Sequence, residues 1–213
     1  GSGTHHEIAD TLRGTTNPRV LRSNESDGEV NGDVGNGFTS SGFSLGFVSG
    51  DVNWSPRPNV SWSFRKQPGF FDIVTFTETG SNLTVSHNLG CVPGMILMKR
   101  TNGTSSWWVY HKEMGQDKLL RLDRDIQATD MSGSTYGGGG WCPVTSTTFT
   151  FKPGAIGSGA GTEYVAYLFA GGESTAATAR SVDFDGSGDY LSIPVNNSDF
   201  DWAADGSLTI EAF

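Results

Sequence analysis

The chain repeats itself over a distance too long for a solenoid. Phe43-Ser44-Leu45-Gly46, a loop of Gly, Asn and Pro, and then Asn59-Val60-Ser61-Trp62-Ser63-Phe64 occur early in the 213 residues. About 105 residues later come Phe149-Thr150-Phe151, a Gly-rich loop, and Tyr164-Val165-Ala166-Tyr167-Leu168-Phe169. Upstream, Val20-Leu21-Arg22-Ser23-Asn24 aligns with Leu119-Leu120-Arg121-Leu122-Asp123. Small-unit arrays repeat every ~20–50 residues, so a period this long marks domain-sized units. The later copy has a front section, residues 70–107, with no counterpart in the earlier one. The chain therefore reads as a piece of a longer modular protein.

Glycine accounts for 30 residues, many of them in clusters such as Gly137-Gly138-Gly139-Gly140. The 13 Phe and 6 Trp supply apolar surface for thin cores. Short alternating runs between Gly/Asn/Ser/Thr turns specify an all-β fold of tandem sandwich-like modules, the first and last incomplete. The net charge of −9 and the absence of any Lys/Arg cluster beyond dipeptides exclude a nucleic-acid footprint. Apolar runs are too short to cross a bilayer. Cys91 and Cys142 form no CxxC; they read as two separate thiols or as one disulfide.

Four segments follow. Residues 1–66 are the back part of a first unit. There, Val20-Leu21-Arg22 is a strand, and Val60-Ser61-Trp62-Ser63-Phe64 alternates as a strand with Trp62 in the core. Gln67-Pro68-Gly69 marks a boundary. Residues 70–170 form the complete unit, with strands over Phe71–Thr77, Leu83–Val85, Met95–Lys99, Trp107–His111, Leu119–Leu122, Thr147–Phe151 and Glu163–Phe169. Asn102-Gly103 centres a hairpin turn. Residues 171–179 are a linker, and residues 180–213 open another sandwich with the hairpin Ser181–Ile193.

Candidate chemistry is sparse. Asp183, Asp185 and Asp189 flank Gly186 and Gly188 in the pattern that begins a calcium loop, but Pro194 stands where a bidentate Glu is required. A solvated hairpin is the simpler reading, and calcium through these three is the only ion suggested. The histidines lack ligand spacing, and His87 reads as a hydrogen-bonding turn residue. No Gly-x-Ser-x-Gly elbow joins a strand to a helix, no phosphate loop is present, and Asp123 and Asp125 form no distinctive acid–base pair. Neither a catalytic residue nor an organic cofactor is expected. Trp107 and Trp108 are the ligand-contact candidates: adjacent in a strand, they point to opposite faces, so one of them can meet a glycan or a neighbouring subunit.

Val60–Lys66 followed by Pro68-Gly69-Phe70-Phe71-Asp72-Ile73-Val74 resembles a repeated domain of phage structural proteins of the cyanophage tail-fibre kind. So do Val85-Ser86-His87-Asn88-Leu89-Gly90, Val92-Pro93-Gly94-Met95-Ile96, Trp108-Val109-Tyr110-His111 and Tyr164–Phe169. The tail, Ser181–Leu191 with Leu208–Phe213, resembles the opening of a laminin-G-like or concanavalin-like jelly roll. Together these resemblances imply a non-catalytic virion tail or fibre component displaying a lectin-like module. They imply a host surface glycan or protein and other tail subunits as partners, and by analogy a homotrimer. A secreted or cell-surface bacterial adhesin is the alternative, and accessory modules of a glycan-active hydrolase a third.

Overall fold

In the computed structural model, residues 5–15, 19–31, 37–39, 42–45, 60–133 and 140–172 are described. Their strands, in chain order, are β1 (Glu7–Ile8), β2 (Arg19–Arg22), β3 (Val30–Asn31), β4 (Gly37–Phe38), β5 (Phe43–Ser44) and β6 (Phe71–Thr77). There follow β7 (Leu83–Ser86), β8 (Pro93–Arg100), β9 (Trp108–His111), β10 (Lys118–Arg121), β11 (Thr129–Asp130), β12 (Thr148–Phe151) and β13 (Glu163–Ala170). A 3₁₀ turn (Lys112–Met114) and the one-turn helix α1 (Pro153–Ile156) are the only helical pieces among them. The fold is all-β, as the turn-punctuated alternation requires.

The central element is an antiparallel six-stranded sheet in the order β11-β10-β9-β8-β13-β6. β13 lies between β8 and β6, pairing Tyr167 with Leu97 on one side and with Ile73 on the other. Alternation along β13 sends Tyr164, Ala166 and Leu168 to one face and Val165, Tyr167 and Phe169 to the other. The first face packs with Ile96, Met98, Tyr110 and Leu119 against Val85, Phe149 and Phe151 of the two-stranded β12–β7 sheet. Trp141, Cys142, Met131 and Leu89 close this core from the loops. The second face carries Phe71, Ile73, Trp107, Val165 and Tyr167 under Leu21, with Ile8 beside them. The small sheet β1-β2-β3 thus forms a third layer. The stretches before and after residue 66 belong to one compact unit spanning Gly1–Glu173. Leu21, placed in a first module by the repeat, is fully buried against the later copy's face.

Two expectations change. Residues 60–66 are not a strand, and Trp62 is not core: it is 84% exposed and Val60 81%. Alternation records a capacity to pair, but no described strand pairs with residues 60–66. The β8–β9 connection is also longer than a tight Asn-Gly turn, running over residues 101–107. It is held open because residues 26–29 dock there: Glu29 N donates to Thr101 O at 2.7 Å, and Ser105 N donates to Ser26 O at 2.8 Å. A Cβ on Gly28 would lie 2.6 Å from Thr101 O, so this approach requires glycine.

Candidate functional site

The seam between the β1–β3 layer and the main sheet holds a connected polar cluster. The turn after β1 brings Asp10 and Arg13 over the end of Tyr167. Tyr167 donates its hydroxyl proton to Asp10 Oδ2 at 2.8 Å, and Arg13 Nη2 donates to Tyr167 Oη at 3.0 Å. Arg13 Nε also bonds Asp10 Oδ2, and its Nη1 reaches Glu29 Oε1 at 3.2 Å. Asp10 fixes its own turn by accepting from the backbone of Leu12 and Arg13. Burial pushes the Tyr167 phenol up from its ordinary value, and Asp10 reinforces this while Arg13 opposes it. The phenol is therefore a fixed donor, not a base.

Lys99 makes the second tie. Its side chain is fully buried, and its Nζ donates to Ser26 O at 2.9 Å and Ser105 O at 2.7 Å. Desolvation lowers it to about 8, against the pull of Asp123 and Asp27. Trp107 makes the third: its Nε1 donates to Arg22 O at 2.8 Å, and its ring stacks on Tyr167 with centroids 6.2 Å apart. Beside the seam opens a shallow cleft of about 350 Å³, lined by Arg13, Glu29, Thr75, Phe76, Thr77, Thr101, Glu163 and Tyr164. A second depression shares Glu29 and Thr101 and adds Arg19, Asn102 and Thr104. These surfaces offer hydrogen bonds to a polar ligand. Their one buried cation, Arg13, is already spent on Asp10 and Glu29.

The structure separates the two tryptophan candidates. Trp107 cannot meet a ligand, because it is wholly enclosed beneath Leu21. Trp108, half-buried on the opposite side, lies under the Arg121 guanidinium at 4.9 Å and donates to Ser105 Oγ at 3.2 Å. Asp183, Asp185 and Asp189 lie outside the described residues. Cys91 and Cys142 carry free thiols; Cys142 is buried, and desolvation raises it. His87 is enclosed, accepts from Leu89 N at 3.3 Å, and is lowered chiefly by burial. Below it, burial opposes the charge of Asp72. Lys66, at 2.7 Å, and the N–H groups of Asn88 and Ile73 outweigh that and hold its carboxyl below the usual range. Asp123 accepts from Trp107 N at 2.9 Å, a structural bond. Among the described residues no cluster of three His, Cys, Asp or Glu is placed to hold a metal, and no helix is long and apolar enough to cross a membrane.

Sequence reasoning passed over Asp10, Arg13, Glu29 and Lys99. Only Lys99 left a trace, as a cation ending an apolar run in a buried strand.

A family model matches residues 1–179, across the Gln67–Gly69 turn as well as the seam. The chain belongs to the DUF7483 family. Its members share a domain described as being of unknown function. No curated protein and no solved structure matches the chain.

Proposed function

We propose that this DUF7483 chain is a structural, adhesive component of a phage virion tail or fibre, displaying a lectin-like module to the host surface. The observation that carries the reading is the run of phage-like motifs and where they fall. Phe71–Val74 opens β6, His87–Gly90 turns after β7, Pro93–Ile96 opens β8, Trp108–His111 is β9 and Tyr164–Phe169 fills β13. The resemblance therefore lies in framework positions, as suits a repeated scaffold. The polar groups at the seam support the same reading, since Arg13, Lys99 and Tyr167 are all engaged in fixing one layer on another. In this role the module is a stiff, non-catalytic spacer, and recognition belongs to residues beyond it.

Antibodies raised against the full chain test this on purified phage particles and bacterial surface fractions from the source material. Immunogold label on particle tails supports the proposal. Label confined to cell surfaces replaces it with the adhesin reading. Depolymerisation of a polysaccharide panel by the purified chain overturns the non-catalytic role.

A further inference from the structure

We propose that residues Val60–Ser63 of one copy, tethered by Phe64 to their own sheet, add as a strand to the outer edge of β6 in a second copy. Each copy carries both halves of such a contact. The first half is a segment that alternates in sequence and belongs to no strand, with Val60 and Trp62 more than 80% exposed and Phe64 51% exposed. Its sequence counterpart is β13, a strand paired on both sides. The second half is β6, which ends the six-stranded sheet among the described residues. Ile73 directs its N–H and carbonyl outward, to Asp72 Oδ1 and Lys66 Nζ. The two-residue period turns the backbone groups of Thr75 and Thr77 the same way, and both residues are exposed. An open edge of this kind is a template for another strand.

The two halves do not join within one chain. The Gln67–Phe71 bridge starts an antiparallel hairpin, whose register would set Phe64 opposite Val74 and Trp62 opposite Phe76. Val74 and Phe76 belong to the face packed on β12. Phe64 is anchored on the other face, its ring 5.7 Å from Phe71 and 5.5 Å from Phe169. With Phe64 held on that face, residues 60–63 pair with no described strand, and no described residue pairs with the outer edge of Val74–Thr77. A second copy meets no such conflict: its Trp62 can lie beside the half-buried Phe76, with Ser61 and Ser63 outward. Reciprocal exchange closes the pair as a dimer.

Sedimentation of the full chain over roughly 1–100 µM tests this, the range in which modest strand-addition contacts dissociate. The expected result is a shift from 22.7 kDa towards about twice that mass. Trp62→Ser and Thr75→Pro should each weaken the association at least about tenfold. Thr75→Pro removes an outward N–H and spares the β6–β13 ladder. Circular dichroism confirms the fold of each variant, and Trp62→Ser, altering an exposed side chain, keeps the test valid if the proline variant unfolds. A wild-type chain that stays monomeric throughout, or a Trp62→Ser variant that associates like wild type, overturns the proposal.

Discussion

The centre of the main sheet and the seam above it are held by different forces. Around β13 the bonds are backbone ladders on both sides and apolar side chains on both faces, with Ile96, Met98, Ala166 and Leu168 fully buried. At the seam, one apolar insertion, Leu21 over Trp107, is surrounded by ionic and hydrogen-bonded ties through Asp10, Arg13, Glu29, Tyr167 and Lys99. Hydrophobic burial is non-directional, whereas a buried charge is stable only with its partners in place. The sheet should therefore tolerate conservative change, and the seam should fail when a single partner is removed.

The largest effect is expected where that contrast is sharpest. Arg13→Met leaves the Asp10 carboxylate buried beside Tyr167 without its cation, a loss of about 3–5 kcal/mol. Denaturant unfolding measures the size. Hydrogen exchange shows the place: amides of residues 6–31 should open while those of β13 stay protected. Equal loss of protection in β13 would erase the distinction between the regions. Leu168→Ala in the sheet core should cost about 2–5 kcal/mol, but spread over the whole unit and without selective opening of the seam.

Tyr167→Phe keeps the stacking on Trp107 and removes one donor. It should cost about 1–3 kcal/mol, because Asp10 loses a partner it cannot replace with water. Thermal melts of Tyr167→Phe, Arg13→Met and the double variant would show less than additive loss if the two act through Asp10 together.

Lys99 gives a signed pH test. Its folded value of about 8 lies below the ordinary 10.5, so between these limits the unfolded chain binds more protons than the folded one. Its contribution to stability therefore rises with pH across that window. Cys142 and Tyr167, raised by burial, act in the opposite sense, their contribution falling as pH climbs above their ordinary values. The useful quantity is thus the melting-temperature difference between wild type and Lys99→Met. It should move in favour of wild type from pH 7 to 10, and a flat difference would remove Lys99 from the account.

The smallest effect is expected at the exposed Lys118–Asp130 pair, 2.7 Å apart at the β10–β11 edge. Lys118→Ala should change stability by less than about 1 kcal/mol.

What could be read from the residues follows the same division. β6 announced itself by alternation and β8 by a nearly continuous apolar run, since each pattern records which faces of the strand are covered. Trp107 and Trp108 were correctly placed on opposite faces, but which one is covered depends on Leu21, a contact across 86 positions that no local pattern encodes. The Asp10–Arg13–Tyr167 cluster is equally remote, its members ordinary in their own surroundings. Trp62 shows the reverse: the alternation around it is clear, but no described strand of the chain pairs with it, because Phe64 is held on the face of Phe71 and Phe169. Asp72 and His87 sit in the motifs that carry the phage-protein resemblance, yet their roles at the Lys66 and Leu89 turns rest on distances that no local pattern encodes.

The placement of Phe71 opposite Phe169 has a mechanical consequence. The polypeptide enters the main sheet at the start of β6 and leaves it at the end of β13, on neighbouring strands and at the same end of the sheet. Tension applied between those two points would peel the β6–β13 ladder one rung at a time, the weakest direction in which to load it. A line of force entering through residues 5–31 instead meets Arg13 and Lys99 first, so the polar seam acts as a buckle that takes strain before the ladder does.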